Sequence, residues 1–175
     1  MRKVVRKKGQ VWIETVIYTL IGLTIIGIVM AAALPKINSK KDELVVAQSI
    51  EALRNIDAKI RDAQKVAGNR RIIDLEIKRG KFIIDMEKDT ISWIMDSRFQ
   101  YSEVGVPISL GWLNVTTREG DPWEIEIKTE YSADLRYEIG DIGNKQLDIS
   151  PTAYKFSIEN REDFFGNSII DFIVS

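Results

Sequence analysis

KKGQVWIETVIYTLIGLTIIGIVMAAALPK, residues 7–36, decides the architecture of this 175-residue chain. Two lysines and a glycine give way to an apolar run, and from Thr15 to Leu34 no charged residue occurs. At a helical rise of about 1.5 Å per residue, that run spans about 30 Å, the thickness of a bilayer's hydrocarbon core. Glycine and β-branched residues within it are ordinary for a membrane helix. A carboxylate at Glu14 is not, because a charge near the mouth of such a helix costs free energy unless it reaches the interface or meets a cation.

The flanks extend the reading. Residues 1–9 carry Arg2, Lys3, Arg6, Lys7 and Lys8 and no acid, although the whole chain has a formal net charge of only -1. A basic tip directly before an apolar run is an orientation signal and predicts a cytoplasmic N-terminus. Lys36, Lys40 and Lys41 keep the other end in water. Nucleic-acid binding would need basic residues spread over a folded surface, so none is predicted.

Beyond Pro35 the helical pattern resumes. Leu53, Ile56, Ile60, Ala63 and Ala67 recur at spacings of three and four, with Glu51, Arg54, Asp57, Lys59, Arg61 and Asp62 between them, which predicts an amphipathic helix over 38–68. Pro35 reads as a kink or short break, and Ser39 as the cap of the second helix. Gly68-Asn69 has the chemistry of a C-terminal cap.

From Arg70 the period changes to two. RIIDLEI (71–77) and KFIIDM (81–86) flank Lys78-Arg79-Gly80 as a hairpin would. TISWIM, WLNVTT, WEIEIKT, DLRYEI, KQLDIS, YKFSIE and SIIDFIV follow, separated by Gly, Asp, Asn and Pro. In WEIEIKT, Trp123, Ile125 and Ile127 point one way and Glu124, Glu126 and Lys128 the other. The fold class is therefore α+β: a long N-terminal helix, half transmembrane and half amphipathic, then an antiparallel, sandwich-like β-rich head over 69–175.

The composition argues against catalysis. There is no Cys and no His, so thiolate metal sites, disulfides and the commonest general base are all missing. No catalytic, cofactor-binding or metal-binding set is predicted. Asp141, Asn144 and Asp148 lack the spacing and terminal Glu of a Ca²⁺ loop and read as a polar turn. Trp93, Trp112 and Trp123 read as core aromatics at strand positions. Asn114-Val115-Thr116 makes Asn114 an acceptor for N-glycosylation.

With these residues in order, the N-terminal stretch resembles the class III signal peptide of archaeal type IV pilins and pilin-like proteins. That family has a short basic leader ending in Gly, a Gln opening the mature chain, a Glu at its fifth position and an uninterrupted apolar helix. Here these places hold Lys7-Lys8-Gly9, Gln10, Glu14 and the run to Leu34. The family often has a Ser two residues after the Gln and a Leu eight after it; Trp12 and Tyr18 stand there instead, so pilin-like is the closer description. The resemblance covers residues 1 to about 38, and the remainder agrees only in plan.

The resemblance implies a division into a cleaved leader (1–9), a transmembrane and assembly helix (10–37), an amphipathic helix (38–68) and the extracytoplasmic head. It implies that a prepilin peptidase cuts between Gly9 and Gln10, and that the new amine of Gln10 pairs with Glu14 in a filament. Its partners would be copies of itself or other pilins, the pilus assembly machinery, and membrane lipid before assembly. Two alternatives compete: a permanently anchored surface protein whose β-domain binds a ligand or scaffolds a machine, and an exported enzyme released by signal cleavage at Ala33, in the small-residue run Ala31-Ala32-Ala33.

Overall fold

In the computed structural model the described residues are 8–138, 143–162 and 165–174, with the side chains of 8–11 and 174 excluded. Residues 1–7 of the expected leader and Asp141 lie outside them. The chain divides into two compact units, Met1–Ser39 and Lys40–Ser175.

One helix, α1 (Lys8–Gln64), covers both the apolar run and the amphipathic stretch. Pro35 lies inside it, and Ser39 is an interior residue rather than a cap, which corrects the expected break. Proline removes one N–H from the helical ladder and crowds the carbonyl four residues earlier. Strong helix formers on both sides and the Lys40–Glu43 pair, 2.6 Å apart, carry the helix across. It stops at Gln64, before Ala67, which is exposed. Gly68 does adopt the left-handed conformation expected of it (φ 79°), and its N–H bonds the carbonyl of Asn160 at 2.8 Å.

Among the described residues the head contains ten strands in two sheets. The six-stranded sheet has the order β4 (Pro107–Leu110), β5 (Leu113–Arg118), β6 (Trp123–Glu130), β3 (Thr90–Ser97), β2 (Lys81–Asp85), β8 (Asn144–Leu147). The four-stranded sheet runs β1 (Arg70–Leu75), β9 (Tyr154–Glu162), β10 (Ser168–Val174), β7 (Asp134–Tyr137). Neighbours are antiparallel except β7 and β10, which are parallel. The short edge strand β4 escaped the sequence reading because it opens on a proline and buries almost nothing.

The expected hairpin between β1 and β2 does not form. β1 pairs with β9, whereas β2 pairs with β3 and β8, so residues 76–80 carry the chain from one sheet to the other. Three features fasten this crossing. Ile77 is buried, Trp93 donates its indole N–H to the Arg79 carbonyl at 2.9 Å, and Gly80 sits at φ 78° against the backbone of β3.

One core joins the stripe of α1 to the inner faces of both sheets. Val46, Ile50, Leu53, Ile56, Ile60 and Ala63 supply the stripe. Ile56, Phe82, Phe156 and Phe172 meet at its centre, with Phe82 and Phe156 ring centroids 6.2 Å apart across the two sheets. Each such side chain contributes about 1.5–3 kcal/mol on burial. In β6, Ile125 and Ile127 are buried and Glu124 and Glu126 half-buried, as the alternation predicts.

Candidate membrane and assembly segment

In the N-terminal part of α1, from Trp12 to Leu34, no residue is buried. Among the described residues it is the single helix long and apolar enough to cross a membrane, and its most apolar stretch has no buried residue. Trp12 is 71 % exposed and Tyr18 72 %, and Ile13, Ile17, Leu20, Leu23, Ile26 and Val29 are exposed around the helix circumference. Amphipathic helices leave one face in water; this segment presents aliphatic side chains in every direction, the pattern of a helix that lipid or other helices surround.

The backbone and its hydroxyls fit an apolar environment. A continuous helix satisfies its own peptide groups, as a segment inside a hydrocarbon layer must. Thr19 donates its hydroxyl to the Thr15 carbonyl at 2.5 Å, and Thr24 donates to the Leu20 carbonyl at 2.7 Å. Such back-bonding hides the hydroxyl from its surroundings.

Gly9 and Gln10 lie at the start of α1, and Glu14 follows one turn later on the exposed surface. Glu14 forms no ion pair with any residue whose side chain is described. A side chain built on Gly22 or Gly27 would meet nothing within 4 Å. Gly27 and Ala31 are four residues apart and share one helix face, a spacing that lets a second helix approach closely.

The remaining sequence candidates separate. Asn114 is exposed on β5, where its Oδ1 accepts the Ser109 hydroxyl at 2.7 Å. Trp93 is a core residue, its ring nearly perpendicular to that of Phe82 with centroids 5.8 Å apart. Trp112 is half-buried with the Arg61 guanidinium 5.8 Å above its ring, and Trp123 is half-buried at the start of β6. Asn144 begins β8, and Asp148 accepts the Gln146 amide at 2.8 Å. Among the described residues no group of three or more metal-ligating acids comes together.

Two helix acids that the stripe analysis assigned to the solvent side, or passed over, are buried instead. Asp42 accepts the Arg98 backbone N–H at 2.7 Å and pairs with the Arg79 guanidinium. Burial by itself would raise its pKa, but the bonds and charges of Arg79 and Arg98 outweigh burial and hold it below the ordinary value. Asp57 is buried and pairs with Arg61 at 2.7 Å. The phenol of Tyr131 is pushed up by burial and then by the charge of Asp57. The spacing held the signal: Asp42 is four residues before Val46, and Asp57 is four after Leu53 and three before Ile60. No family model, curated protein or solved structure matches the chain.

Proposed function

We propose that this chain is a pilin-like subunit: a prepilin peptidase cuts it between Gly9 and Gln10, and it assembles through α1 into, or in association with, a type IV pilus-like surface filament. The observation that carries the reading is the contrast within α1. Its stripe from Val46 to Ala63 is consumed by the β-rich head, while the segment from Trp12 to Leu34 has no buried residue. A helix of this kind is held by lipid first and by neighbouring helices after assembly.

On this reading Glu14 has a specific role. Removal of the leader exposes an α-amino cation on Gln10, one helical turn away. In a bundle of apolar helices an unpaired charge is strongly unfavourable, so the carboxylate and the amine, within one chain or between neighbours, favour one axial register. Gly27 and Ala31 allow the close approach that brings them together. The head then stands outside the membrane, with the cytoplasmic N-terminus that the basic cluster predicts.

The N-terminal residue of protein isolated from native membranes or filaments tests this. Mass spectrometry is expected to find chains beginning at Gln10. Chains beginning at Met1 would support the permanently anchored alternative, and a start at Leu34 would support release by an ordinary secretory cut.

A further inference from the structure

Among the described residues β1 pairs with β9 alone, so the four-stranded sheet ends there on an edge of unpaired backbone groups. The edges formed by β4, β7 and β8 are blunted: each of these strands is four residues long, and β4 opens on Pro107. β1 is six residues long and contains no proline. We propose that this edge is an interface between two copies of the chain, which join β1 to β1 antiparallel about a two-fold axis and continue the sheet from one head into the other.

The register follows from the strand itself, Arg70-Arg71-Ile72-Ile73-Asp74-Leu75. The Asn69 carbonyl accepts the Asn160 N–H at 3.0 Å, so by alternation the ladder to β9 continues through Arg71, Ile73 and Leu75. The N–H and C=O groups of Arg70, Ile72 and Asp74 therefore point to the open side. Set antiparallel with Ile72 opposite itself, two copies form about six backbone hydrogen bonds. Arg70 of each copy then lies opposite Asp74 of the other, and Ile72 packs on Ile72, all on the outer face. A parallel pair in register would instead set Arg70 against Arg70.

In the single chain these side chains lack cover or an ion partner. Ile72, a β-branched residue, is 70 % exposed. Asp74 is exposed and makes no ion pair with any residue whose side chain is described. Arg70 donates to the Ser157 hydroxyl and pairs with no carboxylate among the described side chains. On the inner side, residues 73–76 border a groove of about 260 Å³ that separates them from Gln48, Ala52 and Asn55 of α1, which leaves the edge open to a second strand.

An interface of about five paired residues per copy is small, so one pair is weak, and repetition along two facing surfaces multiplies it. α1 ends at Gln64 just before β1, and near the start of the head Asp42 pairs with Arg79 beyond β1, so the two elements run in opposite directions. The two-fold that reverses β1 also reverses α1. The two copies thus meet from opposed membranes or antiparallel filaments, not side by side in one bilayer. Only that last step rests on the anchored, pilin-like reading; the pairing needs only the folded head.

Sedimentation of the full chain in detergent micelles, from about 10 to about 500 μM, is expected to show a dimer with Kd on the order of 100 μM. Arg70→Asp and Asp74→Arg each set like charges opposite one another twice per dimer and are expected to weaken it about tenfold. Combining the two substitutions restores opposite charges and is expected to recover the wild-type Kd within about threefold. The chain has no Cys, so single thiols report the register. A short bismaleimide should link Arg70→Cys to Asp74→Cys in a mixture, and neither variant to itself. A monomer throughout, a dimer that neither single reversal weakens, or a double variant no better than the singles overturns the proposal. So does self-linking of Arg70→Cys in place of the mixed product, the mark of a parallel pair. None of these readouts depends on where the chain is cut, so they and the N-terminal residue fail separately.

Discussion

The carboxylate of Asp42 receives the backbone N–H of Arg98 at 2.7 Å, tying α1 to the segment that leaves β3. The two residues are 56 positions apart in the chain, and Asp42 is 6 % exposed. Arg79, on the crossing between the sheets, pairs with the same carboxylate. One helix residue thus holds two separate segments of the head, and the first prediction follows from its charge.

The bonds and charges of Arg79 and Arg98 hold the folded Asp42 carboxyl below its ordinary pKa. A depressed acid contributes stability that is fully present above the unfolded pKa and is lost as pH falls through the folded one. The stability of the head should therefore be flat near neutrality with respect to this residue and decline below about pH 4. Asp42→Ala leaves the Arg98 N–H without its partner and should cost about 1–3 kcal/mol at pH 7, with part of the Arg79 contribution screened by solvent. Urea unfolding at several pH values checks both statements: the gap between wild type and variant should narrow on acidification.

Gly80→Ala should be among the most damaging substitutions in the head. A Cβ there would lie 2.1 Å from the Ile94 carbonyl oxygen and 2.7 Å from the Met95 Cβ, at a φ of 78° that L-residues rarely adopt. Backbone cannot swing aside as a long side chain does, so the loss should be about 3 kcal/mol or more. Denaturant midpoints measured against Gly105→Ala supply the control, because a Cβ at Gly105 meets nothing within 4 Å and pays only the cost of its positive φ.

On the proposed pilin-like reading, Glu14→Ala should leave membrane insertion and the cut after Gly9 intact and impair filament assembly. It removes a charge from the apolar segment, so insertion becomes easier if anything. Assembly would then bury the Gln10 amine without a partner, a loss of about 3–5 kcal/mol. Sheared filament yield should drop at least about tenfold while the membrane fraction retains processed subunit. Normal yield would remove the pairing role.

The Asn114 amide is expected to carry a glycan in protein taken from its native membrane. Asn114 is exposed on a strand, and the Ser109 hydroxyl bonds its Oδ1, not the Nδ2 to which a glycan attaches. Intact mass should exceed the mass calculated from the N-terminal residue found in the same sample by whole sugar residues, and Asn114→Gln should remove the excess. An unmodified mass in wild type would show that the acceptor is not used.

How much was legible in the sequence varies by element. The apolar run, the stripe from Leu53 to Ala63 and most strands could be read because periodicity is local: a helix face recurs at 3.6 residues and a strand face at two. Pro35 misled, since a proline's local cost was set against long stretches of helix-forming sequence on both sides. The hairpin over residues 78–80 misled because a turn signal states that the chain bends, not which strand receives it. The open edge of β1 was not legible at all. Arg70, Ile72 and Asp74 alternate as any strand face does, and no spacing states that β9 alone pairs with their strand.

The sequence by itself determined that one end of this chain is a helix of uniform apolarity and the other a β-rich head, because uncharged length and residue period are written in consecutive positions. Only the tertiary structure decided that α1 runs unbroken through Pro35, that β1 and β2 belong to different sheets, and that Asp42 and Asp57 are buried. Those outcomes depend on which distant groups can satisfy a carboxylate or cover a strand, and that competition is settled by packing across the whole head rather than by any residue's neighbours in the chain.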